Sequence, residues 1–119
     1  MSNRGFTLLE LLVALGISSV LAAIAIPQYQ HYRQRAFDAR ALSDLQSIAL
    51  AEEAYFIDNE AYLTCENELC LMLPGMAAIS NGVTVTITAE ENSFTGSATN
   101  TKGSGKIYHW DSAAGGLIG

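Results

Sequence analysis

Residues Gly5–Pro27 read GFTLLELLVALGISSVLAAIAIP, and this stretch sets the plan of everything that follows it. From Phe6 to Ile26 nearly every residue is apolar, and Glu10 is the one formal charge. A helix of that length, rising about 1.5 Å per residue, reaches about 30 Å, the thickness of a bilayer's hydrocarbon core. A carboxylate inside such a run costs roughly 2.5–3.5 kcal/mol at mid-membrane and less near one end. Glu10 therefore calls for a compensating group. Pro27 closes the apolar run, removes a backbone donor and predicts a kink. Together with Gly16 it brackets a segment of lower helical stability.

Upstream, Met1–Gly5 carries a single charge, Arg4. No small-x-small site followed by a polar mature start appears, so the pattern is not that of an ordinary cleaved secretory signal. By the positive-inside rule Arg4 and the start amine hold this end in the cytoplasm, and the rest of the chain is exported. Downstream, helical patterning resumes at once. Phe37, Ala41, Leu45, Ile48, Ala49, Tyr55 and Phe56 follow the spacing of one helix face, while Arg33, Arg40, Asp44 and Ser47 fall largely elsewhere. The spacing predicts one interrupted helix from about Thr7 to about Asp58. Residues 6–27 form its membrane half and residues 28–58 the amphipathic spine of a head.

The head, residues 59–119, reads as β-rich, which makes the fold class α+β: a long N-terminal helix packed against a small antiparallel sheet. Asn59 to Pro74 is polar and acidic and reads as a loop containing Cys65 and Cys70. Two cysteines in an exported segment favour a disulfide, worth about 2 kcal/mol for so short a loop in the chain-entropy model. A zinc site would need four ligands, and only His31 in the stalk and the distant His109 stand beside the cysteines; a redox pair is more often CxxC. Pro74-Gly75 and Asn81-Gly82 are turn signals. Val83, Val85 and Ile87 alternate with Thr84, Thr86 and Thr88 as a half-buried strand does. Ser93–Asn100 and Lys106–Trp110 are further strands, giving a meander of three or four. Its apolar face is expected to hold Val83, Val85, Ile87, Phe94, Ile107 and Trp110. The closing SAAGGLIG is either a short edge strand or a frayed end.

Charge and motif content narrow the function classes. The chain carries a net charge of −6, and from Glu52 onward nine acids face only Lys102 and Lys106. Such a head opposes a tight electrostatic grip on nucleic acid, and no specific nucleic-acid site is evident. No P-loop, GxSxG, HExxH or EF-hand loop occurs, so no enzyme activity, cofactor or metal is expected. The adjacent pairs Glu52-Glu53 and Glu90-Glu91 point apart and read as solvated surface.

Gly5-Phe6-Thr7-Leu8-Leu9-Glu10 resembles the processing motif of type IV pilins and their pseudopilin relatives. The resemblance covers Arg4 to about Tyr32 closely and the remainder in general architecture. It implies a leader of residues 1–5, cut by a prepilin peptidase between Gly5 and Phe6, and N-methylation at Phe6. Phe6 and Glu10 then serve subunit assembly, with the glutamate facing the N-terminal amine of a neighbour. The implied protein is a homo-oligomeric helical filament, stored in the inner membrane before assembly machinery extracts it to an extracellular pilus. The aromatics Tyr29, Tyr32, Phe37, Tyr55, Phe56 and Tyr62 are placed similarly to those of short pilins proposed to conduct electrons. From Phe37 to Tyr55, however, about 27 Å of helix carries no ring, and core packing is the preferred reading. Two other readings stay open: a pseudopilin of a type II secretion system, and a single-pass anchor presenting a small binding domain.

Overall fold

The computed structural model describes residues 5–118. Of the expected leader, residues 1–4, with Arg4, lie outside the described residues. Helix α1, Leu8–Asn59, continues through Pro27 without the expected interruption. The chain divides into two units between Arg33 and Gln34.

The first unit, within the described residues, is α1 up to Arg33 with Gly5, Phe6 and Thr7 before it. It contains the most apolar part of the helix, long and apolar enough to cross a membrane, and none of that window is buried within the chain. Phe6 is 88% exposed, and Leu8, Leu9 and Ile24 are all exposed as well.

In the second unit α1 packs on a five-stranded antiparallel meander in the order β1-β2-β3-β4-β5. The strands are β1 Cys65–Glu66, β2 Val83–Ala89, β3 Phe94–Asn100, β4 Ile107–Asp111 and β5 Gly116–Ile118. The stretch expected to be loop therefore holds β1 and a 3-10 helix, Asn67–Met72, and the closing residues pair as an edge strand rather than fray. Period-2 alternation works as expected in β2, where Val85 and Ile87 are fully buried and Thr84, Thr86 and Thr88 exposed. In β4 the expected inward residue is corrected. Ile107 pairs with Thr99 on the outer face and is exposed, whereas Tyr108 and Trp110, opposite Ala98 and Gly96, are half-buried against the core. A strand has only two parities, and the pairing with β3 selects the one that turns both rings inward.

The core joins Ala41, Leu45, Ile48 and Ala49 of α1 to Val85, Ile87, Phe94 and Ala98 of the sheet. Helix and sheet approach closely at Gly96, where an added Cβ would lie 2.5 Å from Ile87 Cδ1 and 3.3 Å from Leu45 Cδ1. Three helix carboxylates then pin three separate loops. Ser104 donates to Asp38 from its N–H at 3.1 Å and its hydroxyl at 2.6 Å. Ser80 donates to Asp44 from its N–H at 2.8 Å and its hydroxyl at 3.1 Å. The Leu63 N–H donates to Glu52 at 2.8 Å. Each carboxylate thereby satisfies one loop N–H outside the strands.

Gly96→Ala should destabilise the head by about 1–3 kcal/mol through overpacking between Leu45 and Ile87. Urea unfolding checks this, and an unchanged midpoint would contradict the tight helix–sheet contact.

Candidate assembly site

The start of α1 is closed by a reciprocal pair. The Glu10 N–H donates to Thr7 Oγ1 at 3.1 Å, and the Thr7 N–H donates to Glu10 Oε2 at 3.3 Å. This is a capping box, which satisfies two of the backbone donors that any helix start leaves open. It also sets a carboxylate at the positive end of the helix dipole. Glu10 thus has a first compensating group inside its own chain. The Thr-x-x-Glu spacing ahead of an apolar run is a sequence signature of this device, and it is the signal by which Thr7 could have been found.

Beyond Glu10 the surface up to Pro27 is apolar except for Ser18 and Ser19, and the Ser19 hydroxyl donates to the Leu15 carbonyl at 2.7 Å. Gly16 borders a shallow apolar groove with Ile17, Val20 and Leu21. A Cβ at Gly16 would touch nothing within 4 Å, so the groove is open to a neighbour's side chain. Small residues in apolar helices permit this kind of close backbone approach. Tyr29 and Tyr32 are exposed, and the Arg33 guanidinium lies 5.8 Å from the Tyr29 ring centroid.

Of the singled-out aromatics, the structure brings Phe56 and Tyr62 together, stacked with centroids 4.6 Å apart. Tyr62 also meets Phe94 at 4.8 Å, tilted by 57°, so β3 supplies a third ring. Tyr55 packs beside the core, and Phe37 lies under Arg40 and Lys102 at the far end of the head's helix segment. The rings of the second unit therefore act in packing and in cation–π contact. Cys65 and Cys70 form a disulfide with Cα atoms 5.1 Å apart, tying β1 to the 3-10 helix that contains Cys70.

Sequence reasoning placed Glu52 at the solvated surface, and the structure corrects this. Glu52 is fully buried; Oε2 accepts from Leu63, while Oε1 has no hydrogen-bond partner. Burial pushes its carboxyl above the usual carboxylate range, the Leu63 N–H draws it partly back, and the Glu53 charge pushes it further up. Tyr62, which donates to Glu53, is likewise raised, by burial and then by the neighbouring acids.

An exposed apolar helix opening on a capped acid, followed by an α+β head clamped by helix carboxylates, defines the pilin-like class of N-terminally anchored subunits. Residues 1–26 match the prokaryotic N-terminal methylation motif. Residues 27–107 match the family described as type IV minor pilin ComP, DNA uptake sequence receptor. The type IV wide pilus major component PilA4 of Thermus thermophilus is 36% identical over 92 residues, 76% of this chain and 69% of that protein. The type IV major pilin protein PilA of Myxococcus xanthus is 36% identical over 56% of this chain and 30% of its own length. The type II secretion system core protein G of Pectobacterium carotovorum is 38% identical over 56% of this chain and 43% of its own length. The chain spans only about a third of the length of several curated relatives it matches. This chain belongs to the type IV pilins, in the family of the minor pilin ComP. The pseudopilin reading recedes, since the family match over the head and the longest of these three alignments both lie with pilins.

A carboxyl whose folded value is raised favours folding below the ordinary carboxylate range, and that contribution is lost as pH rises through the folded value. Relative to wild type, Glu52→Gln should therefore gain stability as pH rises from about 5 to 8, while retaining an acceptor for Leu63. Thermal melts of both proteins across that range check the sign; parallel profiles would contradict it.

Proposed function

We propose that this chain is a structural subunit of a type IV pilus, held in the inner membrane as a precursor and polymerised into an extracellular helical filament. The observation that carries the reading is the apolar helix of the first unit, fully exposed in the single chain and bearing one carboxylate at its capped start. Such a surface must be covered, first by lipid and then by equivalent helices of other copies.

Cleavage by a prepilin peptidase between Gly5 and Phe6 leaves an α-amino group on Phe6, which is then N-methylated. Thr7 and Glu10 both remain, so the capping box survives processing. With Oε2 turned to the Thr7 N–H, Glu10 Oε1 is left to meet the Phe6 amine of a neighbouring subunit. A buried carboxylate and amine contribute more to register than to net stability, and removing one partner alone is costly. Assembly is then selective for correctly staggered helices.

A second reading, DNA capture, is favoured by the description of the family matched over residues 27–107. Arg40, Lys102 and Lys106 would be the phosphate contacts, against nine acids from Glu52 onward. With so few cations, the grip would be weak and lost in added salt. The major or minor standing of the subunit, and the fibre's use in adhesion, motility, uptake or conduction, follow from the whole filament.

Glu10→Gln separates capping from pairing, because glutamine also closes a capping box but carries no charge. The variant should accumulate in the membrane at the wild-type level and lower the yield of sheared filaments about tenfold or more, as an unpaired amine in the filament interior would require. Wild-type filament yield from Glu10→Gln would overturn the pairing.

A further inference from the structure

The charges of the second unit are sorted along its helix segment. At one end the β3–β4 turn folds onto the beginning of that segment: Asn100 Nδ2 donates to the Phe37 carbonyl at 3.0 Å, and Ser104 donates twice to Asp38. Beside the exposed Arg35, three further exposed cations gather around that turn. The Arg40 guanidinium lies 5.3 Å and the Lys102 ammonium 5.8 Å from the Phe37 ring centroid, and Lys106 lies 4.9 Å from that of Tyr108. Asp38 beneath them is buried and already engaged by Ser104.

At the other end α1 stops at Asn59, and Tyr62 bridges Phe56 to Phe94. That bridge places the β2–β3 turn beside the end of the helix. Asp58, Glu60, Glu90 and Glu91 are exposed there. Glu66 and Glu68 lie between the poles, on β1 and the 3-10 helix. From Arg40 to Asp58 is 18 residues of helix, about 27 Å at 1.5 Å per residue. This exceeds the Debye length of about 8 Å at physiological salt several-fold, so the poles of one head do not neutralise each other.

We propose that the cationic pole of one copy docks on the acidic pole of a second copy, joining heads in series through Arg40, Lys102 and Lys106 against Asp58, Glu60, Glu90 and Glu91. The proposal rests on the filament reading. A contact between two different patches of the same chain is heterologous and, where it does not close into a ring, propagates as an open helical assembly. Charge complementarity of this kind sets register and rejects wrong approaches. A nucleic-acid phosphate would occupy only the cationic pole; a second copy answers both.

The test reverses one pole and then the other in the full-length chain, in the cells that make it, with the wild-type chain assayed alongside. Lys102→Glu with Lys106→Glu should leave the membrane pool unchanged and lower the yield of sheared filaments about tenfold or more, since like charges would then face each other. Adding Glu90→Lys and Glu91→Lys to the same chain removes that repulsion and should restore the yield to within a few-fold. Recovery also shows that the reversed chain folds. Wild-type yield from the first variant overturns the proposal. Loss without recovery overturns it too, and points to a partner other than this chain, nucleic acid included. If the wild-type chain gives no filaments at all, it is the filament reading that fails.

Discussion

The first unit is an apolar helix that its own chain does not cover, and the rest of the molecule answers to that constraint. Roughly 30 Å of helix presents leucine, isoleucine and valine on all sides. Water cannot be its final environment, because each exposed apolar side chain forgoes about 1.5–3 kcal/mol of burial. Lipid satisfies the surface without selecting a geometry. In the assembly we propose, equivalent helices would satisfy it and, through Glu10, would select one as well. The capping box has a place in this scheme, because a carboxylate already held by the Thr7 N–H needs only one further partner.

The head solves a different problem with the same helix. Its core is small, and α1 compensates by adding carboxylates at Asp38, Asp44 and Glu52 that hold three otherwise unpaired loops. The disulfide restrains a fourth segment that has little apolar content of its own. Of the three carboxylates, Glu52 is the costly one: one oxygen is buried without a partner, so holding Leu63 carries a desolvation penalty that the other two largely avoid.

Where periodicity governs, the sequence was sufficient. Ala41, Leu45, Ile48 and Ala49 follow the helical period, and Val85 and Ile87 alternate with threonine; both groups are buried as read. The motif around Phe6 and the Cys65–Cys70 pair were legible because fixed spacing or residue type is itself the signal. The failures have physical causes. Glu52 lies inside because its partner, Leu63, comes from another part of the chain, and adjacent acids read by themselves are sent to solvent. β1 has two residues and β5 three, too few to show alternation. Ile107 misled because hydrophobicity alone cannot set a strand's parity when Tyr108 and Trp110, on the opposite parity, are half apolar themselves.

The account stands on Phe6 being the first residue of the assembled subunit. The direct measurement is the mass of the N-terminal tryptic peptide of this protein from filaments sheared off the cells that make it. The expected peptide is Phe6–Arg33 carrying one added methyl group. A peptide that retains residues before Phe6, or the absence of this chain from sheared filaments, would contradict the account.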